Sequence, residues 1–224
     1  MGVPDGAYGQ GGAPRVPVRH QMARNENFYP PLPGVVEAIL ESAEGINRNP
    51  DVFATGLSAQ IADLLGVPSA HVLAGAGSAA LLHQLMSHCA GPETDVVHAW
   101  PSFEAYPVIA GNVGANPVRV PLREYTHDLD AMADAVTDRT RVVVVCNPNN
   151  PTGCVLGESE LRRFLKRLPH HVTVIVDEAY REFAVSAGIA DGINLYRDDE
   201  RVCVIRTFSK AYGLLGLRVG FMVA

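Results

Sequence analysis

Arg141-Val142-Val143-Val144-Val145-Cys146 is followed at once by Asn147-Pro148-Asn149-Asn150-Pro151-Thr152-Gly153. A strand with one wet face alternates apolar and polar residues. Unbroken valines therefore predict a strand buried on both faces, the signature of a parallel sheet covered by helices. The Pro/Asn stretch ends it sharply, because proline cannot donate to a ladder and restricts the residue before it.

Working outward, strand and helix patterns alternate. Strands are predicted over 71–74, 95–99, 116–120, 172–176, 202–207 and 217–224. Helices are predicted over 34–44, with Val36, Ile39 and Leu40 on one face, and over 57–65, stopping at Gly66. Further helices are predicted over 79–89, 102–110, 129–136 and 158–168. Such alternation implies a three-layer α/β/α domain with a mainly parallel sheet. Residues 1–24, rich in Gly and Pro, read as a flexible arm, and 25–224 as one large domain. The text stops inside an apolar strand at Gly220-Phe221-Met222-Val223-Ala224, which suggests a truncated chain.

Bulk properties narrow the function. The chain has 224 residues, 47% of them hydrophobic, enough for a continuous core. Its net charge of −6 leaves no electrostatic footprint for nucleic acid. The densest basic group, Arg162, Arg163, Lys166 and Arg167, sits at helical spacing and reads as a solvated face. Cys89, Cys146, Cys154 and Cys203 have no metal-ligand spacing, so free thiols, no metal site and a cytoplasmic location are expected. No apolar run reaches the roughly 18 residues of a membrane span, and residues 1–20 carry no secretory pattern.

Four sites fall at predicted strand ends, where open α/β sheets gather ligands. Ala74-Gly75-Ala76-Gly77-Ser78 joins a strand to a helix; small residues let backbone N–H groups approach an anion, and Ser78 is a candidate N-cap, although glycine also serves such turns for steric reasons alone. The Asn147–Gly153 segment holds asparagine amides rigidly, or is merely a turn. Val174-Ile175-Val176-Asp177-Glu178-Ala179-Tyr180 puts a carboxylate at an apolar strand end, where it needs a cation such as a protonated pyridine nitrogen. A helix cap or an Asp-Glu metal pair remains an alternative, though no Walker lysine motif precedes it. In Arg206-Thr207-Phe208-Ser209-Lys210-Ala211-Tyr212-Gly213, the lysine follows an apolar strand, with Arg218 nearby. Cationic surroundings favour the neutral amine a Schiff base requires; a solvated surface lysine is the ordinary alternative.

In this order, NENFYPPLPG, GAGS, PSFEAY, CNPNNPTG, VDEAYREF and RTFSKAYGLLGLRVGF resemble the class I/II aminotransferases of pyridoxal-5′-phosphate (PLP) fold type I, and within them the histidinol-phosphate aminotransferase branch. The resemblance implies that Lys210 binds PLP as a Schiff base and shuttles a proton at the substrate Cα. It implies that Asp177 pairs with the pyridinium nitrogen, that Asn150 and Tyr180 hydrogen-bond the ring hydroxyl oxygen, and that Phe103 stacks on the ring. The phosphate would be held by backbone N–H groups at Gly77, Ser78 and Ala79, by Thr207 and Ser209, and by Arg218. Substrates would be an amino-acid-like donor, histidinol phosphate or an aromatic amino acid, and a 2-oxo acid, in a homodimer.

Two departures stand out. Asn49 occupies the place of a tyrosine that in the family reaches the neighbouring subunit's phosphate, and Ala79-Ala80 replaces an acidic pair. The family continues into a small C-terminal domain, which the text does not reach. A threonine-phosphate-type decarboxylase or specialised biosynthetic enzyme would share the same site, and a non-catalytic truncated paralogue is the reading from a different class.

Overall fold

The computed structural model describes residues 22–185 and 188–224, so most of the expected 1–24 arm lies outside the described residues. Seven strands form one sheet: β1 (Val72–Gly75), β2 (Asp95–Trp100), β3 (Asn116–Pro121), β4 (Thr140–Cys146), β5 (Thr173–Asp177), β6 (Val202–Thr207) and β7 (Gly220–Val223). Their order is β1-β7-β6-β5-β4-β2-β3. β7 runs antiparallel to both neighbours and every other pairing is parallel. The mainly parallel sheet expected from the valine run is thus present. The exception follows from connectivity: β6 returns to β7 through a short loop, with no helix to carry the chain back to the starting edge.

The helices are α1 (Val35–Ala43), α2 (Thr55–Leu65), α3 (Ser78–Cys89), α4 (Ala105–Asn112), α5 (Leu129–Asp134), α6 (Glu158–Arg167) and α7 (Gly192–Asp198). They cover both faces. Val143 and Val145 of β4 pack with Ile61, Met132, Phe164 and Ile193 from α2, α5, α6 and α7. Val142, Val144 and Cys146 pack with Leu82, Met86, Tyr106 and Ile109 from α3 and α4. Side chains alternate along a strand. Asp177 therefore shares the α3–α4 side with Ile175, and Thr207 shares it with Ile205.

Several boundaries differ from expectation. Ser78 is not the N-cap of α3; Gly77 is, with φ 89° and ψ 159° and no side-chain cap bond, a conformation open to glycine and costly for serine. α4 starts at Ala105, which puts Pro107 in the first turn, where a missing N–H is harmless. α7 was not expected, because of its larger side chains only Ile193 and Leu195 are buried, with Tyr196 partly buried against the core; the Asp191 carboxylate starts it by accepting the Ile193 N–H at 2.9 Å. The basic face of α6 is partly engaged: Arg162 meets Asp198 of α7 at 2.7 Å, and Arg167 meets Asp130 and Asp134 of α5 at 2.6 Å. α1 buries no residue, leaving its apolar stripe bare.

Between the ends of β2 and β4 sit two buried histidines. His127 Nε2 accepts the Cys146 N–H at 3.3 Å, and burial, assisted by nearby His98, holds the His127 ring down at about 4. The unfolded ring titrates near 6.5. Folding therefore favours neutral His127, and its contribution is present above pH 6.5 and lost as pH falls toward 4, by about 3 kcal/mol in all. Urea unfolding of wild type and His127→Gln at pH 7.5 and pH 4.5 should show the smaller acid loss in the variant; equal losses would refute this.

Candidate active site

The carboxyl ends of β4, β5 and β6 lie side by side, with Cys146 opposite Asp177 and Asp177 opposite Ile205. Asp177 is 2% exposed. Its Oδ2 accepts the Tyr106 hydroxyl at 2.8 Å and its Oδ1 accepts the Ala179 N–H at 3.1 Å. Burial still raises its carboxyl above the usual carboxylate range, with these two bonds pulling the other way. Such a group is stabilised by a cation brought into contact with it. Glu178 faces the opposite side, where Oε1 accepts the Gly192 N–H at 2.7 Å and Oε2 accepts Arg206 Nε at 2.8 Å. The two acids are thus split across the strand and do not form one metal-binding pair.

Tyr106 was missed by sequence reasoning, which placed it within the 102–110 helix and gave it no role. It is fully buried, and Phe103 packs edge-on against its ring at 5.5 Å. The signal was available: a tyrosine hydroxyl inside an apolar helix face needs a buried partner.

The loop after β4 uses its asparagines unequally. Asn147 accepts the Leu156 N–H at 2.9 Å and donates to the Leu156 carbonyl at 3.3 Å. Asn149 accepts the Ser102 hydroxyl at 2.7 Å and donates to Thr152 Oγ1 at 2.9 Å. These two build the loop. The Asn150 side chain has no hydrogen bond among the described residues and lines a cavity of about 350 Å³ with Tyr180, Pro148 and Asn25. It is the amide left for a ligand.

Lys210 sits in the loop after β6, its Nζ 5.7 Å from the centre of the Tyr180 ring. The amine donates to the carbonyls of Arg24 at 3.0 Å and Asn25 at 3.3 Å, while Asn25 Nδ2 donates to the Tyr180 hydroxyl at 2.9 Å. Asn27 Nδ2 donates to the Ala211 carbonyl at 3.1 Å, so residues 24–27 lie across the site. The Lys210 amine is held below its ordinary value, as the residue type required, but the main cause is burial. Glu26 opposes the shift and Arg218 adds to it, so the cationic surroundings expected from sequence are a lesser cause.

The β1–α3 turn, the 208–218 loop and β7 meet in a tight cradle. A Cβ on Gly77 would lie 2.3 Å from Arg218 Nη2; one on Gly220 would lie 2.8 Å from the Ser78 nitrogen and 2.9 Å from the Arg206 carbonyl oxygen. Arg218 Nη1 donates to Ser209 Oγ at 3.3 Å, and the Ser209 N–H donates to Thr207 Oγ1 at 3.1 Å. The Gly77 N–H is engaged by the Gly75 carbonyl at 2.7 Å. The N–H groups of Ser78 and Ala79 belong to the first helical turn, where no intrahelical acceptor exists. A guanidinium, hydroxyls and a helix N-terminus in one cradle are groups that could hold an anion.

Residues 20–224 match the family described as Aminotransferase class I and II. The chain belongs to that family. It is 53% identical over 224 residues to an aromatic amino acid aminotransferase of Streptomyces coelicolor, covering all of this chain and 62% of that protein. It is 54% identical over 203 residues to one of Thermobifida fusca, covering 91% of this chain and 56% of that one. The chain thus spans about 60% of the length of these curated relatives. Among solved structures, a histidinol-phosphate aminotransferase from Sinorhizobium meliloti in complex with pyridoxal-5′-phosphate superposes with a TM-score of 0.84 at 29% identity, covering 90% of this chain and 55% of that one. The same fold recurs in an L-threonine-O-3-phosphate decarboxylase from Porphyromonas gingivalis, with a TM-score of 0.72 at 24% identity and coverage of 84% and 55%.

Removing the Tyr106 hydroxyl should leave the buried Asp177 short of one donor. Tyr106→Phe is expected to cost about 1–3 kcal/mol in urea unfolding at pH 7, and much less in an Asp177→Asn background. An undiminished cost in that background would mean that the bond to Asp177 is not what Tyr106 contributes.

Proposed function

We propose that this chain is the cofactor-binding part of a PLP-dependent aminotransferase acting on an aromatic amino acid and a 2-oxo acid, with residues 25–224 as one large domain. The observation that carries the reading is the grouping of functions after three adjacent strands: a buried carboxylate with no cation among the described residues at the end of β5, an amine of lowered basicity after β6, and an unengaged amide after β4. The donor set fits PLP. The Gly77–Arg218 cradle suits a phosphate, Asp177 suits a protonated ring nitrogen, and Asn150 with Tyr180 suits an anionic ring oxygen. The name shared by the curated relatives supports an aromatic donor. Histidinol phosphate is the second reading, supported by the name of the Sinorhizobium meliloti structural neighbour.

PLP, when bound, supplies an aldehyde that combines with amines and a protonated ring that accepts the electron pair released at the substrate Cα. The chain's residues do the rest. Burial keeps the Lys210 amine closer to neutral, which makes it a nucleophile toward an aldehyde and a base for the Cα proton. To act, Nζ must leave the carbonyls of Arg24 and Asn25. Asp177 would pair with the protonated ring nitrogen and hold the proton there. Phe103 would cover one ring face. Arg218, Thr207, Ser209 and the N–H groups at Ser78 and Ala79 would anchor the phosphate, with Gly77 giving room for the guanidinium. The four free thiols support a reducing, cytoplasmic setting.

Incubation with PLP, borohydride reduction and peptide mapping should place a pyridoxyl group on Lys210 and none on Lys210→Ala. Labelling elsewhere, or nowhere, would overturn the assignment. In the full enzyme, phenylalanine and tyrosine should outpace histidinol phosphate as donors; the opposite order selects the second reading.

The proposal extends to a homodimer. Val36, Ile39 and Leu40 present an apolar stripe on α1, and Phe28 and Phe53 are 85% and 76% exposed. Bare apolar area of this kind marks an interaction surface. Val36→Asp with Leu40→Asp should shift the sedimentation of the protein from dimer toward monomer; a monomeric wild type would refute the extension.

A further inference from the structure

A second cavity, of about 160 Å³, lies on the α5–α6 side of the sheet, apart from the site described above; its polar lining is His127, Arg123, Arg163, Arg167, Asp130 and Glu160. Arg123 and Thr126 close its rim as a two-residue hairpin, with both backbone bonds at 3.0 Å. The hairpin's central residues, Glu124 and Tyr125, have φ of 50° and 66°. Left-handed backbone costs a non-glycine residue about 1–2 kcal/mol, so the rim is held in place against local preference.

The charges around the cavity are unevenly engaged. Arg167 is bound to Asp130 and Asp134 at 2.6 Å, Glu160 accepts the Gly157 N–H at 2.8 Å, and Arg123 lies 3.5 Å from Asp128. Arg163 has no hydrogen bond or ion pair among the described residues. Both carboxylates of the lining are thus engaged, and one guanidinium is not.

His127 supplies the second observation. Because its Nε2 accepts the Cys146 N–H, the neutral ring carries its proton on Nδ1. That Nδ1 is buried and has no partner among the described residues. A buried N–H without an acceptor costs about 1–3 kcal/mol, and the residue bearing it lines the same cavity as the unengaged guanidinium.

We infer that this cavity binds a small oxyanion, a phosphate or carboxylate group, with Arg163 and Arg123 as its cationic partners and His127 as its buried donor. The volume suits a group of that size and excludes a nucleotide. The floor belongs to the loop that carries Asn150: His127 holds the backbone of Cys146, and Leu156, also in the lining, is bonded twice to the Asn147 side chain. The inference stands independently of the PLP reading, since none of these residues belongs to that site.

The test is titration of PLP-saturated protein with inorganic phosphate and, separately, with malonate, at low ionic strength, followed by calorimetry and by the His127 ring resonance. One saturable event is expected, with a shift of the His127 signal; the tighter probe identifies the preferred anion. Arg163→Ala, an exposed substitution that should fold normally by circular dichroism, is expected to weaken binding about tenfold or more, the size of one lost charge-assisted hydrogen bond. Arg123→Ala provides an independent second variant with the same expectation. Arg218→Ala separates the two cradles: binding that survives it belongs to this cavity, and binding lost with it belongs to the other. Absence of binding, binding indifferent to Arg163→Ala, or binding lost only in Arg218→Ala would each overturn the inference.

Discussion

The constraint on which the site turns is a carboxylate held out of water at the end of β5. Asp177 is placed by an apolar strand that leaves it only 2% exposed, and it receives hydrogen bonds from Tyr106 and Ala179 without a charge partner among the described residues. Hydrogen bonds reduce the desolvation of an anion; they do not remove it. The folded chain therefore stores an unbalanced tendency toward protonation at this point. A ligand that presents a cationic N–H relieves it, so affinity is built into the strand before any ligand contact is counted.

Sheet parity explains why the surrounding groups fall on one side. The period of two that sends Val142 and Val144 to the α3–α4 face also sends Asp177 and Thr207 there, and sends Glu178 away to Arg206 and Asp191. Parallel strands bring their carboxyl ends to one edge, and the antiparallel β7 brings Gly220 against the start of α3. That reversal brings backbone to backbone: a Cβ on Gly220 would collide with Ser78 and Arg206, and one on Gly77 would lie 2.3 Å from Arg218 Nη2, so glycines at both positions let β7, the start of α3 and Arg218 meet. The cradle is thus a backbone construction finished by one side chain.

Much of this was legible in the text. The valine run identified the central strand because no other environment tolerates it, and β6 matches its predicted 202–207 bounds because an apolar run there meets turn residues on both sides. Lys210, Asp177 and Asn150 were legible as residues held at strand ends. What was not legible depended on contacts distant in sequence. Tyr106 lies 71 residues from the carboxylate it serves. The division of labour among Asn147, Asn149 and Asn150 depends on Leu156, Ser102 and Thr152, so no local pattern separates the three. α7 was hidden because a short helix with two large core contacts carries too little periodicity.

The basicity of Lys210 shows why environment outranks neighbours in sequence. A basic residue close by in the chain suggested charge repulsion as the means of lowering it. In the folded chain burial dominates, Arg218 adds a smaller push, and Glu26 works against both. Part of that burial comes from residues 24–27, which cover the amine and engage Tyr180 through Asn25. The same segment that dries the amine also occupies its hydrogen bonds. Displacing it exposes Lys210 for reaction but returns water to it, which raises its basicity again, so reactivity is greatest when an incoming molecule replaces the segment's contacts without readmitting solvent. A molecule that lays a flat apolar surface over the amine would meet that condition, where a free anion beside Arg218 alone would not.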